Sequence, residues 1–307
     1  MKTTPSTEER VWAVLAHLSA IAFGMGILLP VIGWSEQRRK SKYVSFQCLQ
    51  ALGYQSLGYT IWVLFALVII VIQSLKTFSD LLTAVGSGAD FERLMSLAMG
   101  GHFVVMLGLI GLYVLFPVIA AVACALGRDF HYPIMGNRLA NYFGYVLGSE
   151  QEWLIEEHED RWVTAMGHFS VIIMLWGMLV PLTAWILQGK RSLFMKFQFI
   201  QTLVYQICLM LLFFGSMFLY VAGAVILLIT VGLSGDAGLN ATSMIGLVIF
   251  FIFMLIIFAI ILIVPLFHIL GQWAGYRVLK GDDYHYPVIG KLVEKWISNK
   301  TPPGTAA

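Results

Sequence analysis

Phe46-Gln-Cys-Leu-Gln-Ala-Leu-Gly-Tyr-Gln55 returns 151 residues later as Phe197-Gln-Phe-Ile-Gln-Thr-Leu-Val-Tyr-Gln206. The shared residues include three glutamines in an apolar context, so common composition does not explain the match. Extended outward in the same register, Arg10–Gln55 and Arg161–Gln206 share 16 identities over 46 positions without a gap. Arg10 falls on Arg161, His17 on His168, Pro30 on Pro181, Trp34 on Trp185 and Ser41 on Ser192. Further on, Asp129-Phe-His-Tyr-Pro133 pairs with Asp283-Tyr-His-Tyr-Pro287 at a shift of 154. A tandem duplication halves the fold to be explained. Residues 1–148 form the first repeat, 149–160 an acidic linker, 161–297 the second repeat, and 298–307 a tail expected to be disordered.

Composition places both repeats in lipid. Of the 307 residues, 59% are hydrophobic and 12% charged, against roughly 45–50% and 25% in soluble domains. A soluble interior cannot hide that excess. Six apolar stretches, near 11–34, 46–75, 97–126, 162–187, 197–233 and 243–270, each reach the ~20 residues needed to cross the hydrocarbon core as a helix. The expected fold is an all-α integral membrane protein. Each repeat has three membrane-embedded segments and closes with a short amphipathic helix, at 134–145 and 288–297, lying on the membrane surface. The first hydrophobic segment is expected to stay in the protein, since no cleavage site follows it.

Two readings of the first segment of each repeat are open. As a single Pro-kinked crossing, it would invert the second repeat relative to the first. The 19 basic residues would then divide 12 to 7 across the membrane. As a re-entrant pair of half-helices, interrupted near Gly24, Gly26 and Pro30 and again near Gly177 and Pro181, it would leave only Lys76 and Arg93 on the far side, a split of 17 to 2. The positive-inside rule favours the second reading. In both, the halves are expected to pack about a pseudo-two-fold axis.

Polar residues inside the apolar stretches are the candidate functional groups. Gln47, Gln50 and Tyr54 lie at i, i+3 and i+7 on one helix face, as do Gln198, Gln201 and Tyr205. They serve as interhelical hydrogen bonds or line a polar path between the halves. His17 and His168 are intramembrane histidines suited to proton relay or to orienting their segment. Asp129, His131 and Tyr132, with Asp283, His285 and Tyr286, form an interfacial motif whose tyrosines read as membrane anchors. Two candidate ligands per motif are too few for a metal centre, so no metal or cofactor is expected. The acidic residues at 156–160 read as a solvated face. Cys48, Cys124 and Cys208 have no metal or redox spacing. No nucleotide-binding or hydrolase motif appears, and a net charge of +2 gives no reason to expect nucleic acid.

Glu9-Arg-Val-Trp-Ala-Val-Leu-Ala-His-Leu-Ser19, Leu29-Pro30, Trp34, Tyr43-Val-Ser-Phe-Gln47 and the closing Tyr-Pro resemble a Tic-twenty-like bacterial membrane domain of unknown function, present twice. The resemblance implies helical membrane segments and a role linked to protein translocation, and it brings no catalytic residues. The expectation is a non-enzymatic, multi-pass subunit or accessory component in the bacterial cytoplasmic membrane, in contact with the lipid bilayer and with a membrane-protein partner or further copies of itself. The alternative is a small channel or carrier.

Overall fold

In the computed structural model the described residues are 4–87, 91–148, 153–233 and 240–299. Among them every regular element is helical. The first repeat comprises α1 (Thr7–Leu18), α2 (Leu28–Gln37), α3 (Lys42–Gly53), α4 (Tyr59–Ser87), α5 (Phe91–Ala125) and α6 (Met135–Phe143). The second comprises α7 (Glu156–Phe169), α8 (Leu179–Gln188), α9 (Leu193–Leu233), α10 (Ala241–Leu279) and α11 (Ile289–Ser298). α9 corresponds to α3 and α4 together, which run on through one π-helical turn at Tyr54–Gly58. The expected tail lies outside the described residues from 300 onward, as does 149–152 of the acidic linker.

The first segment of each repeat doubles back. Tight 3₁₀ turns at Ser19–Ile27 and Ser170–Met178 separate the two arms. Within them Phe23 (φ 49°) and Met174 (φ 51°) leave helical geometry at matching positions. Glycine is required beside the break: a Cβ on Gly26 would lie 1.9 Å from the Ser19 carbonyl oxygen, and one on Gly177 2.0 Å from that of Ser170. The open ends of the first hairpin meet directly. Glu9 caps α1 in a reciprocal box with Ser6, and its second carboxylate oxygen accepts from the Ser41 hydroxyl at 2.5 Å. Ser41 lies just beyond α2, so the chain leaves the hairpin on the side it entered. Arg191, beyond α8, pairs with Glu156 and Asp160 at the start of α7 and closes the second hairpin in the same way.

Six helical stretches among the described residues are long and apolar enough to cross a membrane. Two of them are these hairpins, leaving four long limbs: α3–α4, α5, α9 and α10. The two repeats therefore point the same way. Arg38, after α2, contacts Glu159 of α7 at 3.2 Å, which puts corresponding ends of the two halves side by side.

One core joins the halves. Ala13, Trp34, Phe46 and Leu49 of the first pack with Trp162, Val163, Met166, Val180 and Phe199 of the second. The hairpin tips touch, and a Cβ on Gly24 would collide with Trp176 and Ile173. The contacts of α2 with α8 and of tip with tip suit a two-fold axis. The symmetry is approximate, because α7 also sits on α3 and its Trp162 Nε1 donates to the Leu49 carbonyl at 3.0 Å. Beyond this core, α4, α5, α9 and α10 expose continuous apolar side chains from Ile61 to Leu82, Leu97 to Val122, Leu211 to Leu233 and Met244 to Ile269. These are the surfaces a bilayer covers.

Candidate functional site

The glutamine stripe and the Asp-aromatic-His-Tyr-Pro motif, 80 residues apart in sequence, are two sides of one buried cluster. Gln47 Nε2 donates to Asp129 Oδ1 (3.0 Å) and to the Phe130 carbonyl (3.1 Å). Both are acceptors only, which fixes the amide orientation and turns Gln47 Oε1 toward His17. His17 Nε2 therefore donates to Gln47 Oε1, at 3.0 Å. The imidazole is the neutral Nε2–H tautomer, and its bare Nδ1 accepts from the Tyr132 hydroxyl at 3.0 Å. Burial holds the Tyr132 phenol well above its ordinary pKa and so keeps it a donor. Gln50 completes the arrangement: its Nε2 donates to the Phe130 carbonyl (3.0 Å), and its Oε1 accepts from the Tyr132 amide (3.1 Å). Tyr54 stacks on Tyr132 with centroids 4.7 Å apart and donates to the Tyr113 carbonyl.

The second repeat reproduces this bond by bond. Gln198 Nε2 donates to Asp283 Oδ1 (2.6 Å) and the Tyr284 carbonyl (2.9 Å), while its Oε1 accepts from His168 Nε2 (3.1 Å). Tyr286 Oη lies 3.0 Å from His168 Nδ1, and its amide donates to Gln201 Oε1. Tyr205 stacks on Tyr286 at 4.0 Å and donates to the Phe267 carbonyl. Thr202, where the first repeat has Ala51, donates to the Gln198 carbonyl.

Three sequence readings change here. Tyr132 and Tyr286 are 4% and 1% exposed, so they are core residues and not interfacial anchors. Gln47, Gln50, Gln198 and Gln201 are wholly buried and bonded within their own halves, so they do not line a path between them. His17 and His168 are not bonded to each other, and both ring nitrogens of each are engaged by a glutamine and a tyrosine of their own repeat. His131 and His285 stand at the rim, 26% and 40% exposed, each beside its aspartate. The hydrogen bond that His131 Nε2 donates to Asp129 raises the His131 pKa against the lowering effect of burial. Among the described residues, no group of three or more His, Cys, Asp or Glu is placed to hold a metal ion.

Sequence reasoning passed over two further sets. Gln55 and Gln206 close the quoted motif, and their amides donate to the Ala16 and Gly167 carbonyls, with Ser19 and Ser170 in reach. They tie each hairpin tip to the next limb. Their identity in both repeats was the available signal. The second set corrects the solvated reading of 156–160. Glu159 is fully buried, accepting from Trp34 Nε1 (3.1 Å) and Arg38 (3.2 Å). Burial lowers the Arg38 pKa, and Glu159 opposes that shift. Arg39 and Arg191 complete the group on Glu156 and Asp160. No feature of the isolated run marks Glu159 as different from its neighbours.

Compared with known proteins, the chain finds no match among curated proteins and none among solved structures. It does match a family model twice, over residues 8–139 and again over 159–293. These spans contain both clusters and all but the first residues of both hairpins, and they agree with the tandem repeat. They also overturn the Tic-twenty-like resemblance, because the family matched across both copies is a different one. The chain belongs to the MamF/MmsF family, the magnetosome magnetite crystal formation proteins, and carries that family's unit in two tandem copies.

Proposed function

We propose that this protein is a non-enzymatic, multi-pass component of a magnetosome membrane, and that it serves magnetite crystal formation as a rigid accessory element contacting membrane-protein partners or further copies of itself. The supporting observation is the internal closure of the twin clusters. The histidine nitrogens, the Gln47, Gln50, Gln198 and Gln201 amides and the tyrosine hydroxyls of the two clusters bond to one another, to Asp129 or Asp283, or to backbone. A relay or permeation path needs polar groups that exchange partners, whereas a frame needs them satisfied. The family's description supplies the process, and the apolar limbs supply the membrane setting.

The test has two arms. Deleting the gene in a magnetite-forming cell is expected to alter crystal size or shape while membrane vesicles still form, with recovery on complementation. Purified protein in liposomes is expected to pass neither protons nor iron(II) above the protein-free rate. Unchanged crystals in the deletion strain, or specific flux in the liposomes, would overturn the proposal.

A further inference from the structure

Between the end of α8 and the start of α9 lies an open cleft of about 570 Å³, lined by Trp185, Ile186, Lys190, Arg191, Leu193 and Lys196. It has three basic side chains and no acidic one. Arg191 is engaged by Glu156 and Asp160. Lys190 and Lys196 have no ion-pair partner among the described residues. The rim is apolar and open, with Ile186 68% and Leu193 72% exposed. Free cations beside bare apolar side chains at the mouth of a membrane hairpin match an anionic head joined to acyl chains.

The duplication supplies an internal control. Ser35, Lys42 and Ser45 of the first repeat stand where the second has Ile186, Leu193 and Lys196. In the first repeat the corresponding space is closed: Trp34 is fully buried and bonded to Glu159, Ser45 is buried, and Arg39 is paired with Glu156. The second repeat thus carries its cation at the Ser45 position instead of the Lys42 position, has Gly189 in place of Arg38 and two apolar rim residues in place of Ser35 and Lys42, and its cleft is left open.

We propose that this cleft binds the phosphate headgroup of an anionic phospholipid, with Lys190 and Lys196 on the phosphate and Ile186 and Leu193 against the acyl chains. The inference rests on the membrane placement of α8 and α9 and not on a role in crystal formation. Native mass spectrometry of the detergent-purified protein with phosphatidylglycerol or phosphatidylcholine tests it. One phosphatidylglycerol per chain is expected at concentrations that leave phosphatidylcholine unbound. K190Q/K196Q should lose that preference by tenfold or more, K190R/K196R should keep it, and K291Q/K295Q, on α11, should leave it unchanged. Equal retention of the two lipids by the unaltered protein would overturn the proposal. So would undiminished binding by K190Q/K196Q, or a comparable loss in the α11 variant. Displacement by millimolar inorganic phosphate would assign the site to a free anion and also overturn it. If K190Q/K196Q does not fold, the headgroup comparison and the phosphate competition decide the question on the unaltered protein.

Discussion

Gln47 shows how much one side chain can commit. Its two amide hydrogens satisfy Asp129 and the Phe130 carbonyl, and its oxygen accepts the hydrogen bond from His17 Nε2. Gln47→Leu would strand a buried N–H and remove a donor from a carboxylate, at about 1–3 kcal/mol for each unsatisfied group. The apparent melting temperature in mild detergent should therefore fall by several degrees, and Gln198→Leu should do the same. An unchanged melting temperature would mean the cluster bears no structural load. His131 predicts a pH effect of definite sign. Its pKa is raised by Asp129, so the stabilisation is fully present below the unfolded value of about 6.5 and is lost as pH rises through the higher folded-state value. Stability should decline across that window in the unaltered protein, and H131Q should flatten this part of the profile. The participating residues were legible: spacing grouped Gln47 with Gln50, and repetition singled out His17, Asp129 and Tyr132. Their mutual contact was not, because nothing local ties residue 47 to a motif 82 positions away.

Strain recurs at the level of elements. Ile134 and Val288, each just before a surface helix, have φ of +66°, and the next amide donates back to the proline two residues earlier, at 2.7 and 2.8 Å. This is the rare γ-turn, occupied twice by β-branched residues for which positive φ is a true outlier. The turn aims α6 and α11 back so that Gly136, Leu139 and Phe143, or Gly290 and Val293, meet the core. Both strained side chains are exposed, at 83% and 70%, so glycine would forfeit little packing. Relieving the backbone is worth roughly 1–3 kcal/mol, against roughly 0.5–1 kcal/mol for the added freedom of glycine in the unfolded chain. I134G and V288G should each raise the unfolding midpoint, and a fall in both would show that the exposed side chains have an unrecognised contact. The amphipathic pattern announced these helices, but it could not announce the turn, whose residues are the opposite of what local preference selects. The hairpins were half legible. Gly24, Gly26 and Pro30 marked a break, while the bond that makes it a return, Ser41 to Glu9, depends on tertiary closure.

Across the whole molecule, the halves are joined by charge as well as by apolar packing. Arg38 and Glu159 are 5% and 1% exposed, and Trp34 shares the carboxylate while lying under the guanidinium at 4.9 Å. Removing one partner of a buried pair costs about 3–5 kcal/mol, because the other charge is left uncompensated. R38M should therefore be severely destabilised, and adding E159Q should recover most of the loss, as a double-mutant cycle in thermal unfolding would record. The same contact sets the topology. It holds the ends of α2 and α7 together, so loops 38–41 and 189–192 share a membrane face, and the distal end of α4 lies toward the other. The sequence offered this arrangement through its 17-to-2 division of basic residues, a bias that tolerates exceptions, and through the Gly and Pro breaks; the hairpin geometry supplies the missing argument. Cys48 and Cys124 are buried and Cys208 half-buried within α9, so new surface thiols can be read against a low background. K40C and K190C should react with a membrane-impermeant maleimide from the same face of sealed vesicles, and D80C from the opposite one. Had the first segments crossed the membrane, K40C and K190C would label from opposite faces, with K190C and D80C together. That pattern would reverse the second repeat, separate Arg38 from Glu159 by the thickness of the bilayer, and so refute the joined core along with the topology.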